Sequence, residues 1–138
     1  QFRSMKSFAS WCVRVYFEDT DSGGVVYHAN YLKFMERGRT EWLRGIGLDQ
    51  AELKLKDNIM FVVAKLDIQY KRPAKFNDEL MVMTSLEKIG ASTIFITQEI
   101  LRDNYLISSA RVEIACINSK LFKPQRIPKK IKQLLEKL

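Results

Sequence analysis

Residues 18–43 read EDTDSGGVVYHANYLKFMERGRTEWL, and how this stretch divides decides the fold. Its first seven residues are a turn. They combine carboxylates and hydroxyls with Gly23-Gly24, a pair that opens backbone conformations closed to other side chains. From Asn30 the composition changes. Asn is a good N-cap, the residues from 33 to 44 are rich in helix formers, and Gly45 and Gly47 close the run, so a long helix is expected to begin near Asn30. Tyr31, Phe34, Met35, Trp42 and Ile46 recur at intervals of three, four or seven and define one apolar side. Gly38 falls inside this pattern, where glycine costs about 1 kcal/mol relative to alanine. It predicts a close approach of helix backbone to a sheet. The only histidine, His28, stands where the acidic turn meets the helix.

The flanking sequence supplies strands. Residues 12–17 alternate Val13, Val15 and Phe17 with Arg14 and Tyr16. Residues 48–58 read as a second small helix. Residues 62–71 alternate again, with Val62, Ala64, Leu66, Ile68 and Tyr70 in one phase. Three further strands are expected at 80–88, 92–102 and 106–118, the last with Ala110, Val112, Ile114 and Cys116 on its apolar phase. The turns are short, with Asn77-Asp78 and Asp103-Asn104 among them, and short turns join antiparallel neighbours. Pro124 and Pro128 set off a tail, residues 124–138, in which Ile127, Ile131, Leu134, Leu135 and Leu138 form a helical apolar stripe. The class is α+β: a long helix against a five-stranded antiparallel sheet, with an amphipathic C-terminal helix. One helix covers one face only, and sheet edges must be managed, so self-association is expected.

The chain of 138 residues, 46% hydrophobic and 28% charged, fits one globular domain spanning residues 1–138. Gln1 to Ser4 read as an expression scar ahead of a natural start at Met5. No apolar run approaches the ~20 residues of a membrane span, and no secretory signal is expected. Cys12 and Cys116 make no disulfide framework; a reduced, buried Cys116 and a cytoplasmic location are expected. The net charge of +7 is uneven, because residues 120–138 hold seven basic residues against Glu136 alone. That basicity describes a terminal element, not a nucleic-acid-binding surface.

Several chemical readings of Asp19-Thr20-Asp21 fail. The spacing matches the opening of a calcium loop, but the twelfth position is Asn30 in place of the bidentate Glu. An aspartyl phosphotransferase needs a parallel sheet. One histidine and two distant cysteines imply no metal site. Gly23-Gly24 is followed by no G-K-[ST], so it is no phosphate loop. The plain alternative for both aspartates is turn and capping chemistry; for Tyr27 and Tyr31 it is packing, and for His28 a lone polar residue near a helix start.

The string DTDSGGVVYHANY at 19–31 resembles the signature of the hotdog-fold acyl-CoA thioesterases. It is most similar to the 4-hydroxybenzoyl-CoA thioesterase group and its branch found with the bacterial Tol-Pal envelope system. The likeness continues through KFMERGRTEWL at 33–43, and YKRPAKFNDEL at 70–80 resembles the family's Pro-Ala…Asp turn. The resemblance implies hydrolysis of an acyl thioester to acid and coenzyme A without a cofactor, in a homodimer or homotetramer with sites at subunit interfaces. It makes Asp21 the essential carboxylate, either nucleophile or general base, and gives the His28 backbone N–H to the thioester carbonyl. The physics agrees: a helix N-terminus offers free N–H groups and partial positive charge, and one oxyanion donor is worth about 2.7–4 kcal/mol. The His28 imidazole would orient water, assist proton transfer or simply pack. Tyr27 and Asn30 beside it, with Arg72 and Lys88 at strand ends for the phosphates of coenzyme A, complete the candidate set. Two alternatives stand. One is a hotdog hydratase or dehydratase pairing a His with a helix carboxylate, Glu36 or Glu41. The other is a non-catalytic binding module for acyl-CoA, acyl carrier protein or membrane. The tail packs on its own protein, docks an acidic partner such as acyl carrier protein, or lies on a membrane, which would make the protein peripheral to the inner membrane.

Overall fold

The sheet is built on five long antiparallel strands: β1 (Ala9–Arg14), β2 (Ile59–Tyr70), β3 (Glu79–Ile89), β4 (Thr93–Arg102) and β5 (Tyr105–Asn118). Their order is β1-β3-β4-β5-β2, and a two-residue strand, β6 (Lys123–Pro124), pairs with β5. The computed structural model describes residues 9–138, so the expectations for Gln1–Ser4 and a start at Met5 lie outside the described residues. Among the described residues three α-helices complete the fold, α1 (His28–Gly45), the short α2 (Gln50–Glu52) and α3 (Lys129–Glu136), with α2 running on into a π-helical turn, Leu53–Asp57.

The strands β3, β4 and β5 form a meander. Asp103 and Asn104, both with positive φ, make the tight turn between β4 and β5. The connection from β2 to β3 departs from the expected pairing of neighbours. Its two strands lie at opposite sides of β4 and β5, so residues 71–78 cross the end of the sheet. That crossover becomes a wall of the site.

The long helix presents Tyr31, Phe34, Met35, Gly38, Trp42 and Leu43 to the core, while Ile46 sits past its last turn as the C-cap. At Gly38 an added Cβ would stand 2.6 Å from Val82 Cγ1, which is the close approach the sequence predicts. Gln98, wholly buried, bridges the two layers there. Its Nε2 donates to Met35 O and to Thr84 Oγ1, each at 2.9 Å, and its Oε1 accepts from Arg39 Nη1 at 3.1 Å. Ala110, Val112, Ile114 and Cys116 line the same core.

Three local expectations are corrected. The first strand ends at Arg14, and Phe17 is 78% exposed in a 3-10 turn, Phe17–Asp19. Val15 stays buried but leaves the ladder to exchange backbone bonds with Asn77 and Asp78. Residues 62–71 do not alternate cleanly, because a bulge between Val63 and Lys65 resets the register against β5. The C-terminal helix starts at Lys129, not at 124, since Pro124 belongs to β6. Ile127, Ile131 and Leu135 of the tail pack into the main core.

Candidate active site

The acidic turn is a small hairpin. Thr20 pairs with Val26, Asp21 N donates to Val25 O at 2.8 Å, and Gly24 N donates to Asp21 O at 3.0 Å. Gly24 closes the turn at φ +83°, where a side chain would be strained. The Asp21 carboxylate is half engaged. Oδ1 accepts from Gly23 N at 2.8 Å and more weakly from Val25 N at 3.4 Å, while Oδ2 has no partner among the described residues. The side chain is therefore oriented by its own loop with one oxygen to spare.

The crossover holds this hairpin from the other side. Val26 N donates to Ala74 O at 2.8 Å, and Val25 bridges Lys75. Residues 73–78 are pinned in turn: Ala74 N donates to the buried Tyr31 hydroxyl at 3.0 Å, and Arg102 Nη1 donates to Pro73 O and to Asp78 Oδ2. Burial pushes the Tyr31 phenol above its ordinary range, against the lowering effect of that backbone bond.

The helix start is set by Asp19, not by Asn30. The N-cap is Tyr27, whose N–H donates to Asp19 O at 2.9 Å. Asn30 sits in the first turn and its Nδ2 donates to the same carbonyl at 2.8 Å, so its amide ties helix to hairpin and caps no N–H. Asn30 N in turn donates to Tyr27 O at 2.8 Å. Of the four leading N–H groups, two are thus bonded. Those of His28 and Ala29 have no partner among the described residues and point along the helix axis out of its end. Val25, bonded to Asp21, is three residues from His28, a span of at most about 11 Å of chain.

The His28 ring neighbours two phenols, Tyr27 at 4.5 Å between centroids and Tyr70 at 6.1 Å, edge-on. The Tyr70 hydroxyl also donates to His28 O at 3.2 Å. Sequence reasoning missed Tyr70, although it closes the apolar phase of β2 and opens the YKRPA string. Arg72 begins the crossover, with its guanidinium over the Tyr105 ring at 4.9 Å. Asp21, Tyr27, His28, Asn30 and Arg72 therefore gather at one end of the sheet. Lys88 does not join them: it lies over Phe95 near the far end of β3, about 30 Å along that strand from Glu79. The helix carboxylates are engaged elsewhere. Glu36, about 12 Å along α1 from His28, accepts from Thr40 Oγ1, and Glu41 pairs with Arg44.

The profile of the Thioesterase-like superfamily matches residues 15–135. The chain belongs to that superfamily. It is 45% identical over 123 residues to the acyl-CoA thioesterase YbgC of Haemophilus influenzae, covering 89% of this chain and 90% of that one. To the acyl-CoA thioester hydrolase YbgC of Escherichia coli O157:H7 it is 41% identical, covering 88% and 90%. A crystal structure of a probable thioesterase from Bartonella henselae superposes with a TM-score of 0.84 at 39% identity, covering 88% of this chain and all of that one. The hotdog architecture expected from the 19–31 string is thereby established. No α-helix among the described residues is long and apolar enough to cross a membrane.

Proposed function

We propose that this thioesterase hydrolyses acyl-coenzyme A thioesters, with Asp21 and the start of α1 as its catalytic centre. The observation that carries the reading is the pair of amides, His28 and Ala29, that have no partner among the described residues, beside a hairpin that presents a half-engaged carboxylate. The thioester carbonyl oxygen docks on the His28 N–H. Asp21 acts from the other face of the carbonyl carbon, either attacking it to give a mixed anhydride or taking a proton from water. As negative charge develops on the oxygen, the amide and the helix dipole stabilise it. Water completes either route, hydrolysing the anhydride in the first and adding to the carbonyl carbon in the second, and one of its protons passes to the departing sulfur, so coenzyme A leaves as the thiol and the acyl group as the acid. In this reading Asn30 serves the site by fixing the helix to the hairpin, and Arg72, at the start of the crossover, offers a cation to a phosphate of coenzyme A.

The exposed outer edge of β2, with Val63 46% exposed, suits pairing with a second copy. We therefore assign the working form to a homo-oligomer. Because Ile127, Ile131 and Leu135 are buried in the core, any contact of the tail with a carrier protein or a membrane surface would run through its lysine face.

The test is thiol release across a panel of acyl-CoA chain lengths, run beside Asp21→Asn. Release by the wild type and none by the variant is expected. Tight binding with no thiol released from any member would instead make the protein a binding module.

A further inference from the structure

We infer that Tyr70 is a positioning residue that sharpens a second oxyanion donor, the N–H of Ala29. The inference rests on the proposed use of the α1 N-terminus and goes beyond it by giving the site two amides and an external hydroxyl that acts on one of them.

Each backbone amide is one conjugated unit, so whatever accepts or donates at its C=O alters its N–H. The His28 carbonyl and the Ala29 N–H belong to the same peptide group. That carbonyl, at the first residue of α1, accepts the Tyr70 hydroxyl at 3.2 Å in addition to its place in the helix. A second hydrogen bond to the oxygen draws charge from the nitrogen and makes its proton a better donor, by the same polarisation that strengthens chained hydrogen bonds. The Ala29 N–H has no partner among the described residues and faces the same direction as that of His28.

Tyr70 is well placed to hold this contact. It pairs with Ser108 at the last position of β2, and the next two amides, Lys71 N and Arg72 N, both donate to Ile107 O. Its ring packs at 5.6 Å from that of the buried Tyr31 and edge-on to the His28 imidazole. The phenol is thus fixed by sheet and core, while its hydroxyl reaches across to the first turn of the helix. A tyrosine needed only for packing would not require that hydroxyl, and Tyr70 is 45% exposed.

The test separates hydroxyl from ring. Tyr70→Phe keeps the ring contacts and deletes the hydroxyl; kcat should fall roughly two- to eightfold, the effect of weakening one oxyanion donor by about 10–30%, with KM and Tm little changed. The direct readout is the infrared carbonyl stretch of hexanoyl-coenzyme A carrying carbon-13 at its carbonyl. It is bound to Asp21→Asn and to Asp21→Asn/Tyr70→Phe. Binding should lower the frequency in both proteins, and the shift should shrink by about 10–30% when the hydroxyl is absent. An equal shift in the two proteins, or a loss of kcat that merely follows a fall in Tm, would overturn the role of Tyr70. Absence of any shift even with Tyr70 present would instead strike the underlying reading of the helix terminus.

Discussion

The start and the middle of α1 are held by different materials. At the middle, Phe34, Met35 and Gly38 press into the sheet, and the buried Gln98 ties helix to strand through two side-chain hydrogen bonds and strand to strand through a third. At the start, backbone carbonyls hold the structure: Asp19 O receives Tyr27 and Asn30, and Ala74 O receives Val26. The side chains of Asp21, Tyr27 and His28 are left exposed there. The contrast teaches that stability and chemistry are stored in separate turns of one helix. Changes at the middle should cost stability with little effect on each folded molecule's rate. Changes at the start should do the reverse.

The largest effect expected is at Asp21. Asp21→Asn should lower kcat at least about a thousandfold while thermal unfolding stays near the wild-type value, because the amide can still accept from Gly23 N. A variant that loses stability in step with activity would break the separation. At the middle, Gly38→Ala sets two terms against each other. Alanine gains about 1 kcal/mol in helix propensity, but its methyl meets Val82 Cγ1 at 2.6 Å. Val82 is β-branched and fully buried, so it cannot turn aside. Overpacking should win, with a net loss of up to about 2 kcal/mol in denaturant unfolding and unchanged kcat per folded molecule. His28→Ala should cost about tenfold in kcat, since the backbone N–H survives; complete loss with an intact fold would make the imidazole essential.

What the sequence disclosed and what it withheld divide along the same line. Gly38 was legible because only a missing side chain lets helix and sheet meet so closely, and the apolar stripe announces its own face. The tail's stripe was legible for the same reason. The helix cap was misplaced by three residues, from Tyr27 to Asn30, because Asn30 looks like a cap, yet it uses its amide as a donor to Asp19 O. That carbonyl's position depends on residues 71–78, whose path depends on strand order, and no local pattern reports strand order. Phe17 was assigned inward by extending an alternation past Arg14, where Asp19 Oδ2 accepts the Tyr16 N–H and turns the chain. Tyr70 could be placed on a face by its phase, but phase does not say what a hydroxyl reaches.

Two smaller effects sharpen the picture of the core. Burial raises the Tyr31 phenol and, more simply, the Cys116 thiol. As pH rises past about 10, the unfolded chain gives up the tyrosine proton first, so stability should fall there; Tyr31→Phe should lack that increment of alkaline loss. Of the two cysteines, Cys12 is exposed and Cys116 buried. A thiol reagent should therefore label one site in the native protein and both after unfolding, with native labelling of Cys116 contradicting the packed core.

The most direct test of the central claim is a crystal structure of Asp21→Asn with a non-hydrolysable ketone analogue of an acyl-coenzyme A. The ketone oxygen should lie about 3 Å from His28 N, with residue 21 on the opposite face of the carbonyl carbon. An analogue whose carbonyl points away from the first turn of α1 would contradict it.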